Sequence, residues 1–334
     1  MFTFIENLTI FPAIILVIIS LWIILKSADY FVQGASSVAV KLGMSIFVVG
    51  LTIVAIGTSA PELFINVIAA SSGATDLSIG NIIGSNIAGI LLGLGIAALF
   101  IPLALKSKTV WKELPFSLLG AVMLLIFGAD KFIDGGIENI VTRSEGLTFL
   151  AFFIIFIVYT FGLNKNDKVD ESEGEDVEEY SWLKSVVYII GGVIGLVVGG
   201  SLTVESATII ASHLGLSQNL IGLTVVAAGT SLPEIVTAVV AARRGQMDMV
   251  VGGIIGTIIF NIFFALGFTA VVAPLPFKYD NIVDAFILMM ITIIFFIFMF
   301  VGKKHTLEKW QGIVFILLYV LYIAFAVLRE LSIF

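Results

Sequence analysis

The chain has 334 residues, 59% hydrophobic and only 12% charged, with a net charge of −7 and a mean hydropathy of +1.14. A soluble globular domain carries about twice that share of charge, so that class is excluded; with no basic patch outside the loops flanking apolar runs, so is a nucleic-acid binder. There is no cysteine, which removes disulfides and thiolate metal sites, and His213 and His305 match no zinc spacing.

A bilayer core takes about 20 mostly apolar residues per helix. Runs of that size fall, in chain order, at 9–36, 44–71, 77–104, 114–133, 146–164, 184–212, 217–243, 247–274, 281–302 and 308–330. The expected fold is therefore an all-α polytopic membrane protein of about ten helices. The first run lacks a basic n-region and a small-residue cleavage site, so it reads as a span and not as a removable signal. Between the fifth and sixth runs, the acidic stretch Asn164 to Tyr180 (NKNDKVDESEGEDVEEY) is the longest polar segment. Charge runs of this kind are usually solvated linkers, and that reading is preferred here to a Ca²⁺ sensor.

The charges orient the spans. One side collects twelve basic residues: Lys41, Lys106, Lys108, Lys112, Lys165, Lys168, Lys184, Arg243, Arg244, Lys303, Lys304 and Lys309. The other holds four, Lys131, Arg143, Lys278 and Arg329, with Lys26 inside the first run. The positive-inside bias puts the twelve in the cytoplasm with the acidic linker, and both termini outside.

A self-match at a constant offset of 172 residues organises the chain. Gly50-Leu-Thr-Ile-Val-Ala-Ile-Gly-Thr-Ser-Ala-Pro-Glu62 pairs with Gly222-Leu-Thr-Val-Val-Ala-Ala-Gly-Thr-Ser-Leu-Pro-Glu234, identical at ten of thirteen positions. The same offset carries Leu42-Gly43 onto Leu214-Gly215, and Gly80–Ser85 onto Gly252–Thr257. The chain thus divides into a first five-helix half, 1–164, a linker, 165–182, and a second half, 183–334. Five spans per half is an odd number, so the second copy enters the membrane in the opposite direction, and inverted repeats place their sites near the midplane. One chain supplies both halves, so no oligomer is required.

Glu62 and Glu234 fall about halfway along apolar spans. A charged residue there costs about 3 kcal/mol on insertion scales and signals a functional site. Thr58 and Thr230 precede them by four residues and share their helix face. Pro61 and Pro233 remove the hydrogen bonds that Gly57 and Gly229 would otherwise accept. This loosens the turn and frees carbonyls, those of Ala55 and Ala227 included, to face an ion. Ser85 and Thr257, on the small-residue helices that follow, offer further hydroxyls. Such an all-oxygen set with two carboxylates suits Ca²⁺, which takes 6–8 oxygens, and the lack of nitrogen or sulfur ligands disfavours a transition metal. Among the other polar residues, Asp29 and Glu205 read as water- or pathway-facing, Asn66 and Asn86 as interhelical hydrogen bonders, and His213 as interfacial. Gly191, Gly195 and Gly199 read as helix packing.

The two GTSxPE motifs, Gly57–Glu62 and Gly229–Glu234, resemble the α-repeats of the cation/Ca²⁺ exchanger superfamily, in the compact prokaryotic form of its sodium/calcium exchanger branch. The proton-coupled branch tends to have Gly-Asn where this chain has Gly-Thr. The resemblance implies a Na⁺/Ca²⁺ antiporter without resident cofactor, exchanging about three Na⁺ per Ca²⁺ by alternating access, with the first and sixth spans sliding across an eight-helix core. It implies a Ca²⁺ site at Thr58, Glu62, Thr230 and Glu234, helped by the Ala55 and Ala227 carbonyls. The Na⁺ sites would add Ser59, Ser231, Ser85, Thr257 and Asn261. Two departures stand out: Gly89 where the family usually has an amide, and Gly-Thr-Ile-Ile at 256–259 where Gly-Ser-Asn-Ile is usual. They keep proton-coupled Ca²⁺ exchange as the alternative. A channel is disfavoured because nothing resembles a carbonyl-lined filter, and an intramembrane hydrolase because no HExxH motif exists.

Overall fold

The computed structural model describes residues 9–133, 135, 138–164, 178–214 and 227–330. Among these residues nine helices are long and apolar enough to cross a membrane. They are α1 (Ile10–Leu42), α2 (Ile46–Ser71), α3 (Leu77–Phe100), α4 (Ser107–Phe127), α5 (Arg143–Gly162), α6 (Trp182–His213), α8 (Met247–Val272), α9 (Tyr279–Phe298) and α10 (Lys309–Arg329). The span expected at 217–243 is described only from Ala227. It comprises the turn Ala227–Thr230 and α7 (Leu232–Arg243). The stretch 165–177, expected as a solvated acidic linker, and the motif residues Gly222–Val226 lie outside the described residues.

α1 and α6 are equivalent under the 172-residue offset, and each exceeds 30 residues. At 1.5 Å per residue they are about 50 Å long, well beyond the bilayer core of about 30 Å. Their contacts fix the register. Thr203 Oγ1 donates to Ser20 Oγ at 2.8 Å, and Ser185 Oγ donates to Ser37 Oγ at 2.9 Å. Between these ends Gly199, Gly195 and Gly192 lie against Ile24, Ser27 and Phe31 in turn. As numbering rises along one helix it falls along the other, so these two copies of one element cross the membrane in opposite directions. Close packing uses Gly192, not the Gly191 expected from the four-residue spacing. Gly191 is exposed, and a Cβ there would meet none of the described atoms within 4 Å.

Two short ladders tie the halves together. β1 (Leu103–Ala104) pairs antiparallel with β4 (Thr306–Leu307), and β2 (Ile140–Val141) pairs with β3 (Leu275–Pro276). β1 and β3 are themselves repeat equivalents, so each half gives one strand to each ladder. Lys106, Lys303 and Lys304 flank the first ladder, while Arg143 and Lys278 flank the second. Arg244, at the end of α7, reaches α1, where Asp29 receives Nη2 at 2.6 Å and Nε at 2.7 Å. Ser36 Oγ donates to Gln246 Oε1 at 3.0 Å, about two turns further along α1. Asp29 keeps 35% of its side chain exposed, as expected of a residue that reaches water, and also clamps α1 to the end of α7.

The centre is assembled by backbone-to-backbone approach. On α8, Gly252 and Gly256 are four residues apart and share a face. They press on the backbone of α2 near Phe47 and Leu51, where a Cβ on Gly256 would lie 2.6 Å from the Leu51 carbonyl oxygen. At Gly80 and Gly84, their repeat equivalents on α3, an added Cβ would meet none of the described atoms within 4 Å.

Candidate cation site

α2 passes through a π-helical turn at Gly50–Val54 immediately before the first motif, and α3 and α8 contain further ones at Gly89–Leu94 and Phe260–Leu266. Such turns widen the helix and recur at functional sites. Each sits beside the residues that sequence analysis singled out. Pro61 leaves the first motif helical, since α-helix continues from Ala55 to Ser71. The second motif breaks at Ser231 (φ −89°, ψ 3°), and Pro233 opens α7. Two near-identical sequences thus adopt different backbones, which corrects the expectation of one loosened turn repeated twice. In the first copy, Thr58 Oγ1 lies 3.1 Å from the carbonyl of Val54 and 3.3 Å from that of Ala55.

Glu62 and Glu234 are buried, at 3% and 4% exposure. Each is held from the opposite half. Ser59 Oγ donates to Glu234 Oε1 at 3.1 Å and lies 3.4 Å from Thr257 Oγ1. Asn261 Nδ2 faces Glu62 Oε2 at 3.2 Å, Ser85 Oγ at 3.3 Å and Asn86 Oδ1 at 3.2 Å. The α8 spacing makes this possible, because Thr257 and Asn261 are four residues apart and continue the face begun by Gly253. Thr58, Glu234, Thr237 and Thr257 together line a cavity of about 10 Å³, close to the room one water needs. A larger cavity of about 230 Å³ runs past Thr58, Glu62 and Thr230 to Glu205 on α6.

The structure therefore brings Thr58, Ser59, Glu62, Ser85, Glu234, Thr257 and Asn261 into one cluster, with Thr230 on the adjoining cavity. Ala227 and Ser231 belong to the broken turn beside it. Among the described residues, Glu62 Oε1, Glu234 Oε2, Ser231 Oγ, Thr237 Oγ1 and Asn261 Oδ1 have no hydrogen-bond partner. A buried unpaired polar atom costs about 1–3 kcal/mol, more when charged. Three of these, Glu62 Oε1, Glu234 Oε2 and Asn261 Oδ1, are acceptors that a cation satisfies and another acceptor does not, while the two hydroxyls can serve as ligands or donors. Thr237 is missing from the sequence reading because Ile65 occupies its position in the first copy, although its i,i+3 spacing from Glu234 puts it on the same face. Asn66 and Asn86 are the interhelical bonders expected: Asn81 Nδ2 donates to Asn66 Oδ1 at 2.9 Å, and Asn86 receives Asn261. His213 is exposed at the end of α6, as expected of an interfacial residue.

The model of the sodium/calcium exchanger protein family matches residues 12–162 and 184–328, leaving out only the linker and the two ends. The chain belongs to the sodium/calcium exchanger family. It is 31% identical over 339 residues to the sodium/calcium exchanger MaX1 of Methanosarcina acetivorans, covering 92% of this chain and 97% of that protein. It is 34% identical to the inner membrane protein YrbG of Escherichia coli, covering 84% and 86% respectively. Its structure resembles the sodium-calcium exchanger NCX_Mj soaked with zero Na⁺ and Ca²⁺, with a TM-score of 0.79 at 32% identity over 95% of this chain and 99% of that one. This exchanger is therefore a multi-pass membrane transport protein.

Proposed function

We propose that the protein exchanges Na⁺ for Ca²⁺ by alternating access, with one central site serving both ions. The observation that carries this reading is the crossing of the halves: Ser59 of one half holds Glu234 of the other, and Asn261 holds Glu62. In this reading Glu62, Glu234, Thr58 and Thr230 coordinate Ca²⁺ with the Ala55 and Ala227 carbonyls. Ser59, Ser231, Ser85, Thr257 and Asn261 complete the Na⁺ sites, and Thr237 joins them. Two carboxylates neutralise one Ca²⁺, or leave two to three Na⁺ nearly compensated. Because the same oxygens serve either ion, competition couples the fluxes. Relative displacement of the halves would expose the site alternately, with α1 and α6 as the mobile pair and Glu205 lining the approach. The twelve basic residues and the linker face the cytoplasm in this arrangement, with both termini outside.

The test is ⁴⁵Ca²⁺ uptake into proteoliposomes loaded with Na⁺ and diluted into Na⁺-free buffer at matched pH. Uptake is expected to require the outward Na⁺ gradient and to vanish when Na⁺ is equal on both sides. Uptake indifferent to Na⁺ but driven by a pH gradient would establish proton coupling instead. Gly89 gives that second reading its footing, as the repeat equivalent of Asn261 without a side chain. A Cβ there meets none of the described atoms within 4 Å, so the first atom of an added side chain has room. Gly89→Asn is expected to lower the Na⁺ concentration for half-maximal exchange by about threefold, ~0.7 kcal/mol, within the range of one neutral hydrogen bond. An unchanged Na⁺ dependence would remove position 89 from the site.

A further inference from the structure

The second buried acid cluster lies away from the cation site, between α4 and α5 at their lysine-rich end. Pro115 cannot donate to the carbonyl of Trp111, and its ring crowds it, so the helix breaks at Lys112 (φ −128°, ψ −62°) and restarts at Glu113. The break sends neighbouring side chains different ways: Lys112 stays exposed, while Glu113 is only 1% exposed. Tyr159 Oη donates to Glu113 Oε1 at 2.8 Å, and Oε2 has no hydrogen-bond partner among the described residues. Lys112 and Glu113 line a recess of about 320 Å³ together with Phe116, Ile155, Phe156 and Tyr159. The Lys112 ammonium stands 5.5 Å from the Tyr159 ring, and Phe116 stacks on Phe156 at 5.5 Å. Under the repeat offset Glu113 corresponds to Ala285, so this recess belongs to one half alone and not to the duplicated site.

We propose that this recess binds the headgroup of a primary-amine phospholipid such as phosphatidylethanolamine, its ammonium on Glu113 and its phosphate on Lys112. The charges select a zwitterion. Lys112 and Lys108 both lie near enough to act on Glu113 and oppose a bare metal cation, while the carboxylate opposes a bare anion. An ammonium joined to a phosphate satisfies both, and the aromatic walls add a cation–π surface. The depth fits as well. Tyr159 lies three residues before the end of α5, about 5 Å inside it. The outer face of the same helix is apolar and open, with Ile154, Ile155 and Val158 each more than half exposed. Acyl chains running down that face would leave the headgroup at the recess. The buried carboxylate then gains the charged partner that an acid within a membrane span requires.

Native mass spectrometry of the purified, delipidated full chain tests this, titrating dioleoyl phosphatidylethanolamine, phosphatidylcholine and phosphatidylglycerol separately. Wild type is expected to retain one phosphatidylethanolamine about tenfold more tightly than either of the others, the worth of one charge-assisted hydrogen bond. Phosphatidylcholine carries the same charges without N–H donors, so equal retention of the three lipids by wild type overturns the proposal without any variant. Glu113→Gln is expected to erase the preference. Tyr159→Phe, which leaves the carboxylate in place, is expected to keep it. A preference that survives Glu113→Gln equally overturns the assignment.

Discussion

Glutamine at either Glu62 or Glu234 is expected to lower Ca²⁺ uptake by about 100-fold or more, ~2.8 kcal/mol at ~1.4 kcal/mol per decade, while leaving insertion and thermal stability intact. The substitution keeps side-chain size and one acceptor oxygen but removes a charge. Among the described residues its partners are neutral: Glu62 faces Asn261 and Glu234 faces Ser59. A carboxylate held at 3–4% exposure against only neutral donors is costly for folding, so neutralising it relieves the fold while disabling the ligand. The two effects should therefore have opposite signs, with transport lost and the melting temperature unchanged or raised. Ca²⁺ uptake and melting temperature measured on one preparation separate this from misfolding, in which both fall together. Retained uptake in both variants would sink the site. The two variants should also behave alike, because each glutamate is held by the other's half and neither half completes the site by itself.

The duplication was legible because ten of thirteen positions repeat at constant offset, and it carried the span count, the inverted arrangement and the acidic pair with it. What it could not carry is whatever distinguishes the copies. GTSxPE is continuous helix at Gly57–Glu62 yet breaks at Ser231 in the second copy, and no residue inside the motif announces the difference. Tertiary surroundings decide it. Thr237 escaped for the same reason, since comparison of the repeats sets it against Ile65. The π-helical turns have no residue signature, being a matter of how one extra residue is accommodated within a turn. Glycine spacing pointed to close packing on α6 but named no partner and missed by one residue, since Gly192, Gly195 and Gly199 mix three- and four-residue steps where the sequence offered a regular series from Gly191. Asp29 illustrates a wider limit. The sequence marks it as an acid near a span edge that reaches water, but its ion pair with Arg244, 215 residues away, appears only when the two are folded together.

Gly256→Ala is expected to cost about 1–3 kcal/mol of stability, the range for overpacking a close contact, and to reduce Ca²⁺ uptake by about tenfold. Its Cβ would lie 2.6 Å from the Leu51 carbonyl oxygen and 2.8 Å from Ala55 Cβ. A backbone carbonyl cannot swing aside as a side chain does, so α8 must retreat from α2. Everything the site needs depends on that approach. Thr257 follows Gly256 directly, Asn261 lies little more than a turn beyond, and on α2 the displaced segment is the π-helical turn leading into Ala55 and Thr58. Retreat lengthens the contacts from Ser59 to Thr257 and from Asn261 to Glu62, now 3.4 and 3.2 Å, past hydrogen-bond range. Gly191→Ala is the matched control. It makes the same chemical change in a helix at an open position, so it should leave uptake unchanged and raise stability by about 0.5–1 kcal/mol through helix propensity. If both variants transport like wild type, the α2–α8 contact does not set the site. If Gly256→Ala loses transport and Gly191→Ala does not, the positioning of Glu62 and Asn261 rests on a glycine that itself touches no ion.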